Sequence, residues 1–177
     1  MTDQTPQPAG QPANQPVEQP EPSAAARANV FPWPPVLFVS LLIASWLMGS
    51  AIPVGWPGTN DGPARAIGIG FGVSGLALAI WSIVTLSRAG TTVMPHGQSS
   101  ALVTAGPYAR LRNPIYLGEG LMLLGPAEMT KNIWFVAAAD MFAVIVTVLQ
   151  ILPEERHLAA RFGKAYDAYK QKSRRWI

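Results

Sequence analysis

Pro63-Ala-Arg-Ala-Ile-Gly-Ile-Gly-Phe-Gly-Val-Ser-Gly-Leu-Ala-Leu-Ala-Ile-Trp-Ser-Ile-Val-Thr-Leu86 carries one charge, Arg65, near its start. An apolar run of that length is long enough to cross a bilayer as a helix, and Pro63 suits a first helical turn, where its missing N–H costs no hydrogen bond. Gly68, Gly72 and Gly75 recur at helical spacing, so one face of the helix is nearly bare backbone. In a membrane such a face permits close approach of a second helix; a ligand groove is the alternative use.

The flanking sequence repeats the pattern. Val36 to Val54 is a first span, preceded by Phe31-Pro-Trp-Pro-Pro, whose Trp33 suits a membrane interface. Pro53, Trp56, Pro57 and Gly58 end it, and Gly55 to Gly62 reads as a short loop. Ile115 to Leu152 is too long for one span; Gly125-Pro126 and then Glu128 to Asn132 divide it into helices near 114–127 and 132–152. The expected fold is all-α: a polytopic membrane helical bundle of about four transmembrane helices, followed by a C-terminal cytoplasmic amphipathic helix. Composition agrees, since 49% of the 177 residues are hydrophobic and 13% charged, against roughly 25% charged in soluble domains. Residues 1–30, rich in Pro, Gln and Ala, have too little apolar surface to offset their ordering entropy and are expected to be a disordered tail. They lack the basic start and apolar run of a signal peptide. Residues 31–177 are expected to form the one membrane domain.

Charge orients the bundle. Arg88 to Asn113 is a long connection holding Arg88, His96, Arg110 and Arg112 and no acid, and Glu154 to Ile177 holds seven Lys/Arg against three acids. Four spans place both segments on one side, which the positive-inside rule makes cytoplasmic together with the N-terminus; Lys131 falls outside. A basic segment directly after an apolar span reads as a flank beside anionic lipid, so no nucleic-acid partner is expected. With no cysteine and two distant histidines, His96 and His157, no metal site is expected.

After Pro153, Leu158, Phe162, Ala165, Tyr166 and Tyr169 fall on one helical face, with Glu154 and Glu155 in the first turn where the helix dipole favours them. Such a helix lies on a membrane surface or closes a pocket. Leu102-Val-Thr-Ala-Gly-Pro-Tyr-Ala-Arg-Leu-Arg-Asn-Pro-Ile-Tyr-Leu-Gly118 is the most chemically loaded connection. Arg110 and Arg112 suit a carboxylate or phosphate, and Asn113-Pro114 starts a helix with free N–H groups. A snorkelling interfacial loop, anchored by Tyr and Arg, accounts for the same residues.

This stretch resembles the signature of the isoprenylcysteine carboxyl methyltransferase and phospholipid methyltransferase superfamily, Leu-Val-Thr-x-Gly-x-Tyr-x-x-x-Arg-His/Asn-Pro-x-Tyr-x-Gly. The family's second motif, two glutamates and then Phe-Gly-x-x-Tyr-x-x-Tyr, is matched by Glu154-Glu155, Phe162-Gly163, Tyr166 and Tyr169. The resemblance covers roughly residues 65–177. It implies S-adenosyl-L-methionine as cofactor, at Ser100, Ala101, Leu102, Val103, Tyr108, Asn113, Pro114, Ile115, Tyr116 and Glu154. Glu154 would hold the cofactor's ammonium, while Tyr108 and Tyr116 cover the adenine or, by cation–π attraction, the sulfonium. No catalytic nucleophile is expected, because transfer from a positive sulfur needs mainly in-line positioning and desolvation.

Two departures bear on the acceptor. Asn113 stands where the family often has His and does not titrate near neutral pH. Gln150 stands where the prenylcysteine enzymes have an arginine for the substrate carboxylate. Arg112, Glu119 and Gln150 are the expected substrate-side residues, for a lipophilic acceptor methylated on O or N. Asp140, inside the last span, is either functional or paired with a neighbouring helix. An NADPH-dependent, sterol-reductase-like enzyme and a non-enzymatic membrane protein that keeps the fold are the alternatives.

Overall fold

The computed structural model describes residues 33–55, 62–90 and 102–177. The expected tail at 1–30, the positions Ser100 and Ala101, and His96 lie outside the described residues. The helices are α1 (Trp33–Ala51), α2 (Gly62–Arg88), α3 (Pro114–Thr130), α4 (Ile133–Val146), α5 (Leu152–Phe162) and α6 (Lys164–Lys172). A short 3-10 turn, Gly106–Ala109, precedes α3, and a π-helical turn, Thr147–Ile151, joins α4 to α5. Among the described residues there is no strand, and the bundle is helical as expected.

Three helices are long and apolar enough to cross a membrane: Pro34–Ala51, Gly62–Arg88 and Ile133–Phe162. α3 is 17 residues long and holds Glu119 and Glu128; it is the short helix of the sequence reading and packs along α2. The outer faces of α1 and α2 expose Val39, Ile43, Trp46, Leu47, Ile69, Val73, Leu76 and Ile80. An apolar exterior of that extent marks a surface that lipid covers rather than water.

The glycine face of α2 is taken by α3. A Cβ at Gly75 would lie 2.5 Å from the Gly118 carbonyl oxygen, and one at Gly118 would lie 2.6 Å from the Gly75 carbonyl oxygen. Two turns further along, Gly68 and Gly125 oppose each other the same way, at 2.9 and 3.0 Å, with Gly72 alongside. Lipid tails are as apolar as leucine, so no hydrophobic force draws these helices together; dispersion between closely approached backbones does, and only residues without a side chain allow that approach. The ligand-groove alternative for this face is thereby excluded.

On the other side of α3, Leu123, Phe142, Val146, Ile151, Ala138 and Leu41 form the apolar core. Phe38 of α1 meets Phe142 edge-to-face at 6.5 Å. At the end of the bundle remote from the 3-10 turn, Asn132 is a corner post. Its Oδ1 accepts the Trp134 N–H at 3.0 Å, capping α4, and its Nδ2 donates to the Ser45 carbonyl of α1 at 3.1 Å. The Trp134 indole donates to the Ile52 carbonyl at 2.8 Å.

Three boundaries differ from the sequence reading. α3 does not stop at 127: it carries Pro126 inside it and runs to Thr130, capped by Lys131, a left-handed residue with φ 53°. Proline breaks a helix through one lost hydrogen bond and a ring clash, and here the Thr130 hydroxyl donates to the Pro126 carbonyl at 2.6 Å across the following turn. Nor does Pro153 end the last span. The helix continues to Phe162 because the preceding turn is π-helical, with the Leu152 N–H donating to the Thr147 carbonyl five residues back. The wider turn accommodates a ring that would otherwise meet the Leu149 carbonyl. Glu154 and Glu155 therefore sit within a continuous helix and not at a free N-terminus, so the expected dipole stabilisation is not theirs. Finally, the single amphipathic helix expected after Pro153 is two helices, bent at Gly163 (φ 49°, ψ −125°). Tyr166 and Tyr169 become buried groups on α6 while Leu158 and Phe162 remain half-buried on α5.

The α2–α3 contact sets a clear expectation. Gly75→Val forces backbones apart and should destabilise the detergent-solubilised protein by about 1–3 kcal/mol, the usual cost of overpacking. Gly70→Ala, whose Cβ would meet nothing within 4 Å, should leave the thermal midpoint unchanged. Equal midpoints for the two variants would mean that the glycine contact does not hold the helices together.

Candidate functional site

Both sequence motifs converge where the C-terminal segment returns to the loop before α3. The contact is a short parallel bridge between Leu111 and Arg174: the Arg112 N–H donates to the Arg174 carbonyl at 2.7 Å, and the Arg174 N–H donates to the Arg110 carbonyl at 2.8 Å. Glu155 is its ionic node. Arg175 grips that carboxylate with two bonds, Nε to Oε1 at 3.1 Å and Nη2 to Oε2 at 2.7 Å, and Arg112 adds Nε to Oε1 at 3.0 Å. The hydrogen bond from Arg175 to Glu155 holds the guanidinium above its ordinary basicity. The Arg112 Nη1 also donates to the Ser173 carbonyl at 2.6 Å and the Lys170 carbonyl at 3.2 Å. Bidentate, partly shielded arginine–carboxylate pairs are the strong form of such contacts.

The tyrosines of the second motif complete the closure. The Tyr169 hydroxyl donates to the Tyr108 carbonyl at 2.8 Å, with the Leu111 carbonyl at 3.3 Å, and Tyr166 is 1% exposed. Burial pushes the Tyr169 hydroxyl up to about 12, and burial first, then the Glu154 carboxylate and Tyr169, raise Tyr108 well above the ordinary tyrosine range. Both hydroxyls therefore stay protonated donors at any physiological pH.

Beneath this strap runs a chain of polar groups inside the bundle. Glu154 on α5 has the Tyr116 hydroxyl of α3 and the Gln150 amide of the π turn as hydrogen-bonding neighbours. Tyr116 in turn lies within electrostatic reach of Glu154, Glu119 and Tyr108. Glu119 and Gln150 are buried, at 8% and 4% exposed, and the Glu119 Oε2 and Gln150 Oε1 have no hydrogen-bond partner. The π turn brings the Gln150 amide up to Glu154 on the next turn.

The expected site residues fall into groups. Tyr108, Tyr116, Glu119, Gln150 and Glu154 are drawn together. Leu102 and Val103 are half-buried in the segment leading to the 3-10 turn, and Ile115 is half-buried beside the buried Pro114 in the first turn of α3. Arg112, expected beside a substrate, has its guanidinium committed to Glu155 and to the tail carbonyls. Asn113 is also committed, since its buried side chain donates to the Arg175 carbonyl at 3.1 Å. Asp140 is exposed on the outer face of α4, so the pairing with a neighbouring helix of this chain is not made. Among the described residues no group of three or more His, Asp or Glu is placed to hold a metal.

Sequence reasoning missed Glu155, Ser173 and Arg175 as a unit. Glu155 was visible only as half of an acidic pair; its difference from Glu154 is that one carboxylate meets two arginines and the other meets none. Arg175, in a run of basic residues, has no local signal that singles it out.

A family model described as phospholipid methyltransferase matches residues 63–165. The chain is 30% identical over 125 residues to the cobalt-zinc-cadmium resistance protein CzcN of Cupriavidus metallidurans, over 70% of this chain and 53% of that protein. It is 43% identical over 63 residues to an uncharacterized protein of Haemophilus influenzae, over 36% of this chain and 100% of that one. The chain thus spans about half the length of the resistance protein it matches. No solved structure matches it.

Glu155→Ala leaves two arginines without their carboxylate. Hydrogen exchange at the Arg112 and Arg174 amides should accelerate at least about tenfold, the equivalent of roughly 1.4 kcal/mol of local opening, while the α2 amides keep their protection. Unchanged exchange at those two amides would show that the strap is held by the tyrosines alone.

Proposed function

The chain belongs to the phospholipid methyltransferase family, and on that premise we propose that it transfers a methyl group from S-adenosyl-L-methionine to a lipophilic acceptor at a membrane. One observation carries the reading. Glu154 is a half-buried carboxylate that, among the described residues, is held only by a tyrosine hydroxyl and a glutamine amide, with no cation paired to it. The neighbouring Glu155 takes two arginines. A shielded carboxylate left without a cation beside such a node is suited to a ligand's ammonium group.

The other residues fit the same methyl donor. Pro114 at the first position of α3 leaves the next N–H groups without intrahelical acceptors, and these suit the donor's carboxylate. Tyr108 and Tyr116 supply ring faces for adenine or sulfonium. S-adenosylmethionine, when bound, supplies a methyl carbon carried on a positive sulfur.

What the chain does is position and exclude. Tyr169 and the Arg112–Glu155–Arg175 node fix the loop of the first motif against the tail, so the Tyr108 and Tyr116 rings are held by a network remote from the reacting atoms. The apolar core residues Phe142, Val146 and Ile151 lie along the same continuous helix as Gln150 and are themselves buried. Desolvation and in-line placement are the main requirements of methyl transfer, and no protein nucleophile is needed. The acceptor reaches the site from the lipid side, and the basic loop and tail lie in the cytoplasm. The strap is then a cytoplasmic lid.

Thermal shift or calorimetry on the solubilised protein should show binding of S-adenosylmethionine and of its demethylated product, and none of NADPH. Glu154→Ala and Tyr116→Ala should each weaken that binding at least about tenfold, as expected for losing a charged contact or a stacked ring. No binding by the unaltered protein would overturn the reading. In reporter fusions the C-terminus should be cytoplasmic.

A further inference from the structure

Asp140 is an acid on a membrane-crossing helix, turned away from the bundle. The span Ile133–Phe162 is long and apolar enough to cross a bilayer, and Asp140 is exposed on its outer face. Among the described residues its carboxyl group makes no hydrogen bond or ion pair. Its depth denies it water. The Trp134 indole, bonded to the Ile52 carbonyl, marks the end of the bundle remote from the 3-10 turn, and tryptophan favours the membrane interface. Asp140 follows Trp134 by six residues on the same helix, about 9 Å deeper for a rise of about 1.5 Å per residue. The hydrocarbon core is about 30 Å thick, and aspartate lacks the long stem by which Lys and Arg reach its edge. An acid facing lipid at that depth is costly until something pairs with it, and intramembrane acids are almost always paired.

We propose that the outer face of α4 is a self-association surface, on which Asp140 pairs with Asp140 of the partner subunit across a twofold axis normal to the membrane. Copies of one chain share one orientation in the bilayer, so a second copy offers Asp140 only what this copy carries at the same depth. No cation qualifies. The basic residues of α2, Arg65 and Arg88, stand in its first and last turns, while α1 carries no charge and α3 only acids. A carboxyl group, by contrast, is its own complement. With a proton it has an O–H donor and spare acceptor capacity, so two facing groups that hold a proton between them satisfy each other. A twofold interface requires that self-complementarity, because each residue on the axis meets itself.

The rest of the face suits a helix pair. Ala137, Asp140, Val144 and Val148 recur at spacings of three and four and are all exposed, the pattern of a helix–helix seam. Ala137, less than one turn from Asp140, is small enough to let two backbones approach, and polar groups at such seams bond across the helices. The glycine face of α2, which would otherwise compete as a docking stripe, is already filled by α3. The pairing is independent of the methyl-transfer chemistry, whose residues lie on the inner side of the bundle.

The test uses the full chain in phosphatidylcholine vesicles, with association followed by single-molecule photobleaching as the protein is diluted in lipid. We expect a dimer. Asp140→Leu should weaken association at least about tenfold, the equivalent of losing an interhelical hydrogen bond, with the thermal midpoint and methyl-donor binding maintained, since leucine suits a lipid-facing position. Asp140→Asn, which keeps a donor and an acceptor without a charge, should keep the dimer. The chain has no cysteine, so single cysteines report the surface directly. Val144→Cys should form a disulfide-linked dimer on oxidation in the membrane, and Val73→Cys, equally exposed on α2, should not. A native chain that is monomeric, or a dimer that survives Asp140→Leu, overturns the proposal. So does cross-linking at position 73 as readily as at 144. Loss of the dimer in Asp140→Asn also overturns it, and points instead to a partner helix that brings a cation.

Discussion

The backbone-to-backbone contact between Gly75 and Gly118 is the constraint on which the rest of the structure depends. It lets α3 lie against α2 closely enough that a helix of modest length, carrying two glutamates, is held along its whole course by a longer apolar one. Hydrophobic burial cannot do this in lipid; close dispersion contact between the two backbones can, and it falls off steeply once a side chain intervenes. With α3 fixed on one face by glycine, its other face is free to present Tyr116 and Glu119 to the interior and Leu123 to the apolar core.

The second half of the site depends on a helix that does not break where proline suggests it should. The π turn at Thr147–Ile151 absorbs Pro153 and carries α4 into α5 without a loop. Gln150 and Glu154 therefore come from rigid helix, and so do Tyr116 and Glu119 opposite them. Only Tyr108 comes from a connecting segment, and that segment is tied down from above. A site with the proposed task of placing a methyl carbon in line with a nucleophile gains from such support, because small displacements of the reacting atoms cost large factors in rate.

The paired glutamates show how environment divides one residue type into two tasks. Glu155 is neutralised by Arg112 and Arg175 and holds the tail to the loop. Glu154, one residue earlier, turns into the bundle toward Tyr116 and Gln150. A buried ion pair costs desolvation and returns it only with good geometry; the bidentate grip of Arg175 supplies that geometry. The family match over residues 63–165 places both glutamates within the shared region.

Much of this was legible in the sequence. Composition and apolar runs determine a helical membrane bundle, because no other backbone arrangement satisfies its hydrogen bonds within one segment. The spacing of Gly68, Gly72 and Gly75 determines that one face of α2 is nearly bare backbone, and the two motifs mark the residues expected at the site. Tertiary structure alone decided the rest. Arg112 and Asn113 became ties to the tail because their partners, Ser173, Arg174 and Arg175, lie some sixty residues away with no local pattern to announce them. Pro153 failed to end a helix because a wider turn relieved its clash, and proline's effect depends on the turn it meets. Glu119 and Gln150 became unpartnered acceptors because donors and acceptors are matched in space, and a linear chain does not record which buried atom is left without one.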